Sequence, residues 1–261
     1  MEPVSGNSSV SPNCVLVVPC YNEEKRLPTG AFETFRHAYP HVNFLFVNDG
    51  SHDGTQSLLE ALKHSAPESF DVVMLDRNRG KAEAIRRGLL EAIARQPAFV
   101  GFWDADLSTP LDEVPRFLDL MQEHPDVEMV IGSRVQLLGR DISRRLLRHY
   151  MGRIFATLAS AAIGLPVYDT QCGAKLFRVT PSLNQAFDKP FSSRWVFDVE
   201  LIDRFLRLSQ EEEKAPRREQ IVEVPLQKWT DVAGSKLGTL DCIQAGCDLL
   251  RLTFRIRSNP R

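Results

Sequence analysis

Five short apolar runs, each closed by a polar turn, constrain this chain more than any other feature. They are 14–18 (Cys-Val-Leu-Val-Val), 44–47 (Phe-Leu-Phe-Val), 71–75, 98–103 (Ala-Phe-Val-Gly-Phe-Trp) and 127–132. Short β-branched and aromatic runs bounded by turn residues read as strands buried on both faces. Helices are predicted between them, over about 29–37, 56–63 and from Gly80-Lys81 onward. In the last of these, Ala84, Ile85, Gly88, Leu89 and Ala92 keep close to helical spacing. Strand and helix alternating through connections of a few residues is the pattern of βαβ units. The fold class is therefore α/β: a mostly parallel central sheet flanked by helices on both faces, with a Rossmann-like nucleotide-binding half. In such sheets ligands sit beyond the carboxyl ends of the strands.

The period changes in the second half. A long helix is predicted over 142–163, with Arg144, Arg145, Arg148 and Arg153 in its first part and apolar residues from Ile154 onward. A strand-like stretch follows at 171–176, then a helix at 196–208, a charged loop at 210–218, a strand at 221–225 and an amphipathic helix at 238–257 with a basic end. No stretch has the composition of a domain linker, so 13–257 is expected to form a single domain. Residues 1–12, rich in Ser, Asn and Pro, are expected to be a disordered tail, and 258–261 a short C-terminal one.

Composition removes several classes of function. The formal net charge is −2, so the chain has no global basic field for nucleic acid. The five cysteines are scattered, with no Cys-x-x-Cys pair, which argues against a disulfide framework or a zinc site and for a reducing compartment. Residues 1–13 are polar and carry no signal-peptide core, and no run reaches the roughly 18 apolar residues of a membrane-spanning helix. A cytoplasmic protein is expected, with peripheral contact to the cytoplasmic face of a membrane left open.

The run at 98–103 ends in Asp104-Ala105-Asp106 and a polar turn closing at Pro110. Acids at the end of a buried strand need partners, because burying an unpaired charge is costly. Mg²⁺ or Mn²⁺ is one such partner, since it prefers carboxylate oxygens and commonly shares its shell with substrate phosphates. The alternative is that the pair caps the helix beginning near Leu111. Three further polar motifs follow apolar runs: Tyr21-Asn22-Glu23, Asp49-Gly50-Ser51, and Asp76 with Asn78. Parallel strands would bring all of them to one rim. There Asp49 or Glu23 could accept base or ribose hydrogen bonds, and Gly80-Lys81 at a helix start could hold an anion.

Val-Pro-Cys-Tyr-Asn-Glu-Glu (18–24), Val-Asn-Asp-Gly-Ser (47–51), Asn-Arg-Gly-Lys (78–81), Asp-Ala-Asp (104–106) and Gly-Ser-Arg (132–134) together resemble the family 2 glycosyltransferases of GT-A fold. Asp-Thr-Gln-Cys-Gly-Ala-Lys-Leu-Phe (169–177), Arg-Trp-Val-Phe-Asp-Val-Glu (194–200) and Trp-Thr-Asp-Val-Ala-Gly-Ser-Lys (229–236) are similar to motifs of its polyprenol-phosphate glycosyltransferases. The family often has two acids before Gly-Ser where this chain has Asn48-Asp49, so the base contact is expected from Asp49.

The resemblance implies inverting transfer of a hexose, glucose from UDP-glucose, onto a polyprenyl or dolichyl phosphate. It implies a metal on Asp104 and Asp106 and nucleotide-sugar contacts from Pro19, Tyr21, Glu23, Asp49, Asp76, Lys81, Asp104, Ala105, Gln171 and Lys236. A lipid phosphate is already anionic and needs positioning cations more than a base; Arg134 and Arg148 are the candidates. An alcohol acceptor would instead require a carboxylate base. Asp198 is the candidate for it, in the alternative of a soluble family 2 enzyme acting on a small or carbohydrate acceptor.

Overall fold

The computed structural model describes residues 13–143, 146–208, 217–232 and 239–258. The expected N-terminal tail, most of the predicted charged loop, and the Gly-Ser-Lys segment with Lys236 lie outside the described residues. So do the side chains of Arg144, Arg145 and Arg148.

Seven strands form the central sheet: β1 (Cys14–Cys20), β2 (Val42–Asn48), β3 (Phe70–Met74), β4 (Phe99–Trp103), β5 (Met129–Ser133), β7 (Ala174–Arg178) and β8 (Ile221–Pro225). Their order is β3-β2-β1-β4-β7-β5-β8. β1 to β4 are mutually parallel, β7 runs antiparallel to both β4 and β5, and β8 is parallel to β5. The helices are α1 (Thr29–Ala38), α2 (Thr55–Ser65), α3 (Lys81–Ala94), α4 (Glu113–Glu123), α5 (Leu146–Ile163), α6 (Leu183–Asp188), α7 (Phe197–Leu206) and α8 (Thr239–Ser258).

Alternation along each strand divides the core. Leu16, Val18, Phe44 and Phe46 pack on one face with Phe32 of α1, Leu59 of α2 and Phe117 of α4. Val15, Val17, Leu45 and Val47 point to the other face, against Ile85 and Leu89 of α3, Val199 and Ile202 of α7, and Leu252 of α8. Gly88 of α3 allows the closest approach: a Cβ there would stand 2.4 Å from a methyl of Val17.

The predicted helix at 142–163 begins later. Residues Asp141–Ser143 form β6, which pairs in parallel with β9 (Lys228–Thr230), and α5 starts at Leu146. Ile142 is buried opposite Trp229. Burial of this β-branched side chain against an aromatic partner outweighs the helical spacing that follows it. α6 and the β6–β9 pair are absent from the sequence-based expectation.

Candidate active site

The polar motifs meet at the carboxyl ends of β1 to β4, and the antiparallel β7 adds the loop that precedes it. Trp103 is paired with Ala174, so Gly173 lies opposite Asp104, whose N–H donates to the Gly173 carbonyl at 3.0 Å. A Cβ on residue 173 would stand 1.9 Å from Asp104 Oδ2. Only glycine leaves the carboxylate its place.

Asp106 accepts hydrogen bonds on Oδ1 from the Ser108 N–H (3.0 Å) and hydroxyl (2.9 Å). This bond shapes the turn itself. The next helix begins at Glu113 with no side-chain cap, so the helix-capping alternative for the Asp pair is not what the structure shows. Leu107 is held at φ 49°, a costly conformation for a side chain of this kind. The turn is braced from below by Trp103, fully buried, whose indole N–H donates to the Thr109 carbonyl at 2.8 Å.

Lys81, the first residue of α3, forms an ion pair with Asp104 Oδ1. Partial burial works against its charge, but Asp104 and then Asp198 override this and raise its pKa. Asp198 is buried, and burial pushes its carboxyl pKa up despite an ion pair with Lys175. Lys175 has no exposed surface; its ammonium donates to Asp198 Oδ1 (2.5 Å), the Cys172 carbonyl (2.8 Å) and the Thr170 carbonyl (3.0 Å). A buried ammonium with three acceptors is fully used.

The β1 and β2 loops are stitched together. The Asn22 N–H donates to Ser51 Oγ, the His52 N–H to Asn22 Oδ1, and the Glu23 N–H to Thr55 Oγ1. Asn22 sits at φ 51°, a conformation that Asn tolerates better than most residues. Glu23 holds Arg26 in a two-pronged pair. Asp49 is buried, and its two oxygens accept the N–H groups of Arg79 (2.7 Å) and Gly80 (2.8 Å). It thus fixes the loop that carries Lys81, a task the sequence did not suggest, and burial raises its pKa despite these bonds. Asn48 turns its Oδ1 to the Ser51 N–H and leaves its buried Nδ2 without a protein partner. Asp76 is exposed and paired with Arg79, which lowers its pKa. Pro19, near the end of β1, and Tyr21, just after it, are half-buried, and Ala105 is buried.

Beyond β5, Arg134 grips Asp169 with Nε (2.6 Å) and Nη2 (2.8 Å), and its backbone N–H also reaches that carboxylate. The guanidinium lies 5.4 Å from the centre of the Trp229 ring. Burial disfavours its charge, and Asp169 more than restores it. Glu223 receives the N–H groups of Tyr168 and Asp169. The same loop carries Gln171, whose buried Nε2 has no protein partner. Arg148 lies on α5.

Most of the expected residues therefore converge on one rim. Gly173, Lys175 and Arg194 stand in the motifs quoted above but were given no role of their own, and Arg26 was not singled out. Arg194 Nε would be 2.8 Å from a Cβ on Gly80. Besides its place in the 169–177 motif, the signal for Lys175 is a lysine set among Ala174, Leu176 and Phe177, where a cation must find an internal partner.

Whether the rim suits a divalent cation can be tested on its donor set. Asp104 and Asp106 offer oxygen only, the rest of the rim adds no third acid to a cluster among the described residues, and Asp104 already draws a cation. Mg²⁺ and Mn²⁺ sites built from one or two carboxylates and completed by substrate phosphate have this composition. The residues fit the group.

Residues 15–182 match the glycosyl transferase family 2 profile. Curated relatives named dolichyl-phosphate β-glucosyltransferase align over most of the chain. That of Drosophila melanogaster is 33% identical (92% of this chain, 74% of the relative), that of Homo sapiens 31% (92% and 74%) and that of Dictyostelium discoideum 30% (92% and 73%). Among solved structures, glucosyl-3-phosphoglycerate synthase from Mycobacterium tuberculosis in complex with UDP superposes with a TM-score of 0.65 at 19% identity, covering 93% of this chain and 80% of that one. The same enzyme with Mn²⁺, UDP and glucosyl-3-phosphoglycerate gives 0.64. The fold and the rim define a GT-A glycosyltransferase. The chain belongs to glycosyltransferase family 2.

Proposed function

We propose that this enzyme moves glucose from UDP-glucose to a polyprenyl or dolichyl phosphate with inversion at the anomeric carbon. The named relatives support the donor sugar and the acceptor. The observation that carries the choice of acceptor is Asp198. An alcohol acceptor needs a carboxylate free to take a proton, and this one is buried and held by Lys175 at 2.5 Å. A phosphate acceptor needs no base, and Arg134, although paired with Asp169, brings a guanidinium to the same rim.

In this reading Asp104 and Asp106 hold Mg²⁺ or Mn²⁺, which would neutralise the leaving diphosphate as a Lewis acid. Lys81 adds an ammonium to that diphosphate from a helix start. Pro19, Tyr21, Glu23, Asp49 and Asp76 surround the nucleoside, and Gln171, with its unpaired amide, faces the sugar hydroxyls. The acceptor oxygen forms its bond to the sugar carbon as the bond to the diphosphate breaks, and UDP leaves. Arg134 and Arg148 are the cations assigned to the acceptor, and Lys236 is assigned to the donor. The protein works at the cytoplasmic face of a membrane, touching it through α5 and α8; no helix among the described residues is long and apolar enough to cross one.

The test is transfer of labelled glucose from UDP-glucose to a short polyprenyl phosphate with Mn²⁺, beside GDP-mannose as competing donor. Product from UDP-glucose, lost in Asp106→Ala, is expected. Donor hydrolysis without lipid product would move the acceptor to a water-soluble molecule.

A further inference from the structure

Charges alternate through the centre of the rim: Asp104, Lys81, Asp198, Lys175. The two lysines differ in one respect. Lys175 is fully enclosed and has three acceptors. The Lys81 side chain is 42% exposed, that of its partner Asp104 31%, and the pair is made through a single carboxylate oxygen. Lys81 is therefore the exchangeable cation of the row. Asp198 cannot readily take it over, because that carboxylate already serves Lys175.

Resting on the metal-diphosphate reading above, we propose that Lys81 is a built-in competitor for the metal site. Its ammonium occupies Asp104 until a diphosphate offers it other oxygens, so that the divalent cation is taken up together with the donor rather than before it. A cation arriving alone must share Asp104 with a fixed positive charge and strand an ammonium beside it. A diphosphate removes both costs at once, because charge-assisted hydrogen bonds to phosphate replace the lost pair. The coupling is reciprocal: whatever the nucleotide does for the metal, the metal does for the nucleotide. Asp49 takes part as a positioning residue, since it holds the Arg79 and Gly80 amides and so fixes where Lys81 starts.

The experiment is titration of the protein with Mn²⁺, followed by electron paramagnetic resonance, with and without UDP, for wild type, Lys81→Met and Lys81→Arg. Without UDP, Lys81→Met is expected to bind Mn²⁺ about tenfold more tightly than wild type, which is about 1.4 kcal/mol. Lys81→Arg, which keeps the charge, is expected to stay as weak as wild type. UDP is expected to tighten Mn²⁺ binding of wild type at least about fivefold, within the usual range of coupling between sites, and to tighten that of Lys81→Met less. Near-ultraviolet circular dichroism checks that each variant is folded, and Lys81→Gln replaces Lys81→Met if the latter is not. Equal Mn²⁺ affinity of wild type and the uncharged variant without UDP overturns the inference while leaving the metal site intact. Absence of Mn²⁺ binding in every protein even with UDP overturns the metal reading, and this inference with it.

Discussion

Gly173 and Lys175 govern the rim at the scale of single residues. The missing side chain of Gly173 is the space in which the Asp104 carboxylate lies, with 1.9 Å between its Oδ2 and the place a Cβ would take. Gly173→Ala must displace Asp104 or the β7 loop. Misplacing a catalytic group by about 1 Å can cost on the order of 100-fold in rate. A loss of that size in glucosyl transfer, with weakened Mn²⁺ binding in the presence of UDP and an unchanged far-ultraviolet spectrum, is expected of this variant. Lys175 is a different case. Removing one member of a buried ion pair strands the other, at about 3–5 kcal/mol. Lys175→Met is expected to lower the unfolding free energy in urea by that amount, and adding Asp198→Leu to recover much of it. A double-mutant cycle over these two changes should therefore show strong coupling. Asp104, Asp106 and Lys81 were legible in the sequence because each follows a recognisable strand and turn. Gly173 and Lys175 had no role assigned, because one depends on which strand lies beside β4 and the other on α7 bringing Asp198, 23 residues along the chain, back to β7.

Elements show the same division. β1 to β4 and α1 to α3 were legible because each strand is a short apolar run, each helix keeps its period, and short connections mark the alternation. The place of β7 was not. A strand inserted antiparallel between β4 and β5 leaves no mark in its own residues, since it is buried on both faces like its neighbours. β6 was concealed for another reason: three residues that run into a helix carry too little pattern to be separated from it. α7 and α8 are joined by Glu200, whose side chain is almost wholly enclosed. It pairs with Arg204 (2.8 Å) and with Arg255 of α8 (2.9 Å), and it accepts the Ser192 hydroxyl and N–H. Burial alone would raise its pKa; the Ser192 and Arg255 contacts outweigh it and hold the value below the ordinary glutamate range. The folded value lies below the unfolded one, so the stabilisation is complete above the unfolded pKa of about 4.3. It is lost as pH falls through the lower folded value. Glu200→Gln should therefore be less stable than wild type at pH 7, and the gap should narrow as both are acidified below pH ~4 in thermal unfolding.

For the whole molecule, the apolar side chains that stay outside the core are not scattered. Of nine large exposed hydrophobic residues among the described ones, eight fall in two regions of sequence: Leu137, Leu138, Tyr150, Met151, Ile154 and Leu158, then Leu250 and Phe254. α5 packs on α8, so both helices belong to one side of the molecule. On α8, Arg251 and Arg255 are well exposed among the apolar residues, and α5 contains no acid. A chain of net charge −2 thus gathers arginine and the uncovered apolar residues of α5 and α8 on one side, the combination that suits an anionic lipid surface. Each Leu or Phe buried in the interface is worth about 1.5–3 kcal/mol; Arg255 and Arg251, paired with Glu200 and Asp248, add less than the roughly 1 kcal/mol of an unpaired arginine near anionic headgroups. Wild-type protein is therefore expected to co-sediment with phosphatidylserine-containing vesicles at low salt, weakly with zwitterionic ones, and less as salt rises. Leu250→Ser with Phe254→Ser should reduce binding at least about tenfold by the same apolar bookkeeping. Turnover of a water-soluble, short-chain acceptor should be unchanged, because neither residue belongs to the rim. If the variant instead converted a dimer to a monomer in analytical ultracentrifugation and left vesicle binding intact, the surface would belong to a second copy of the chain.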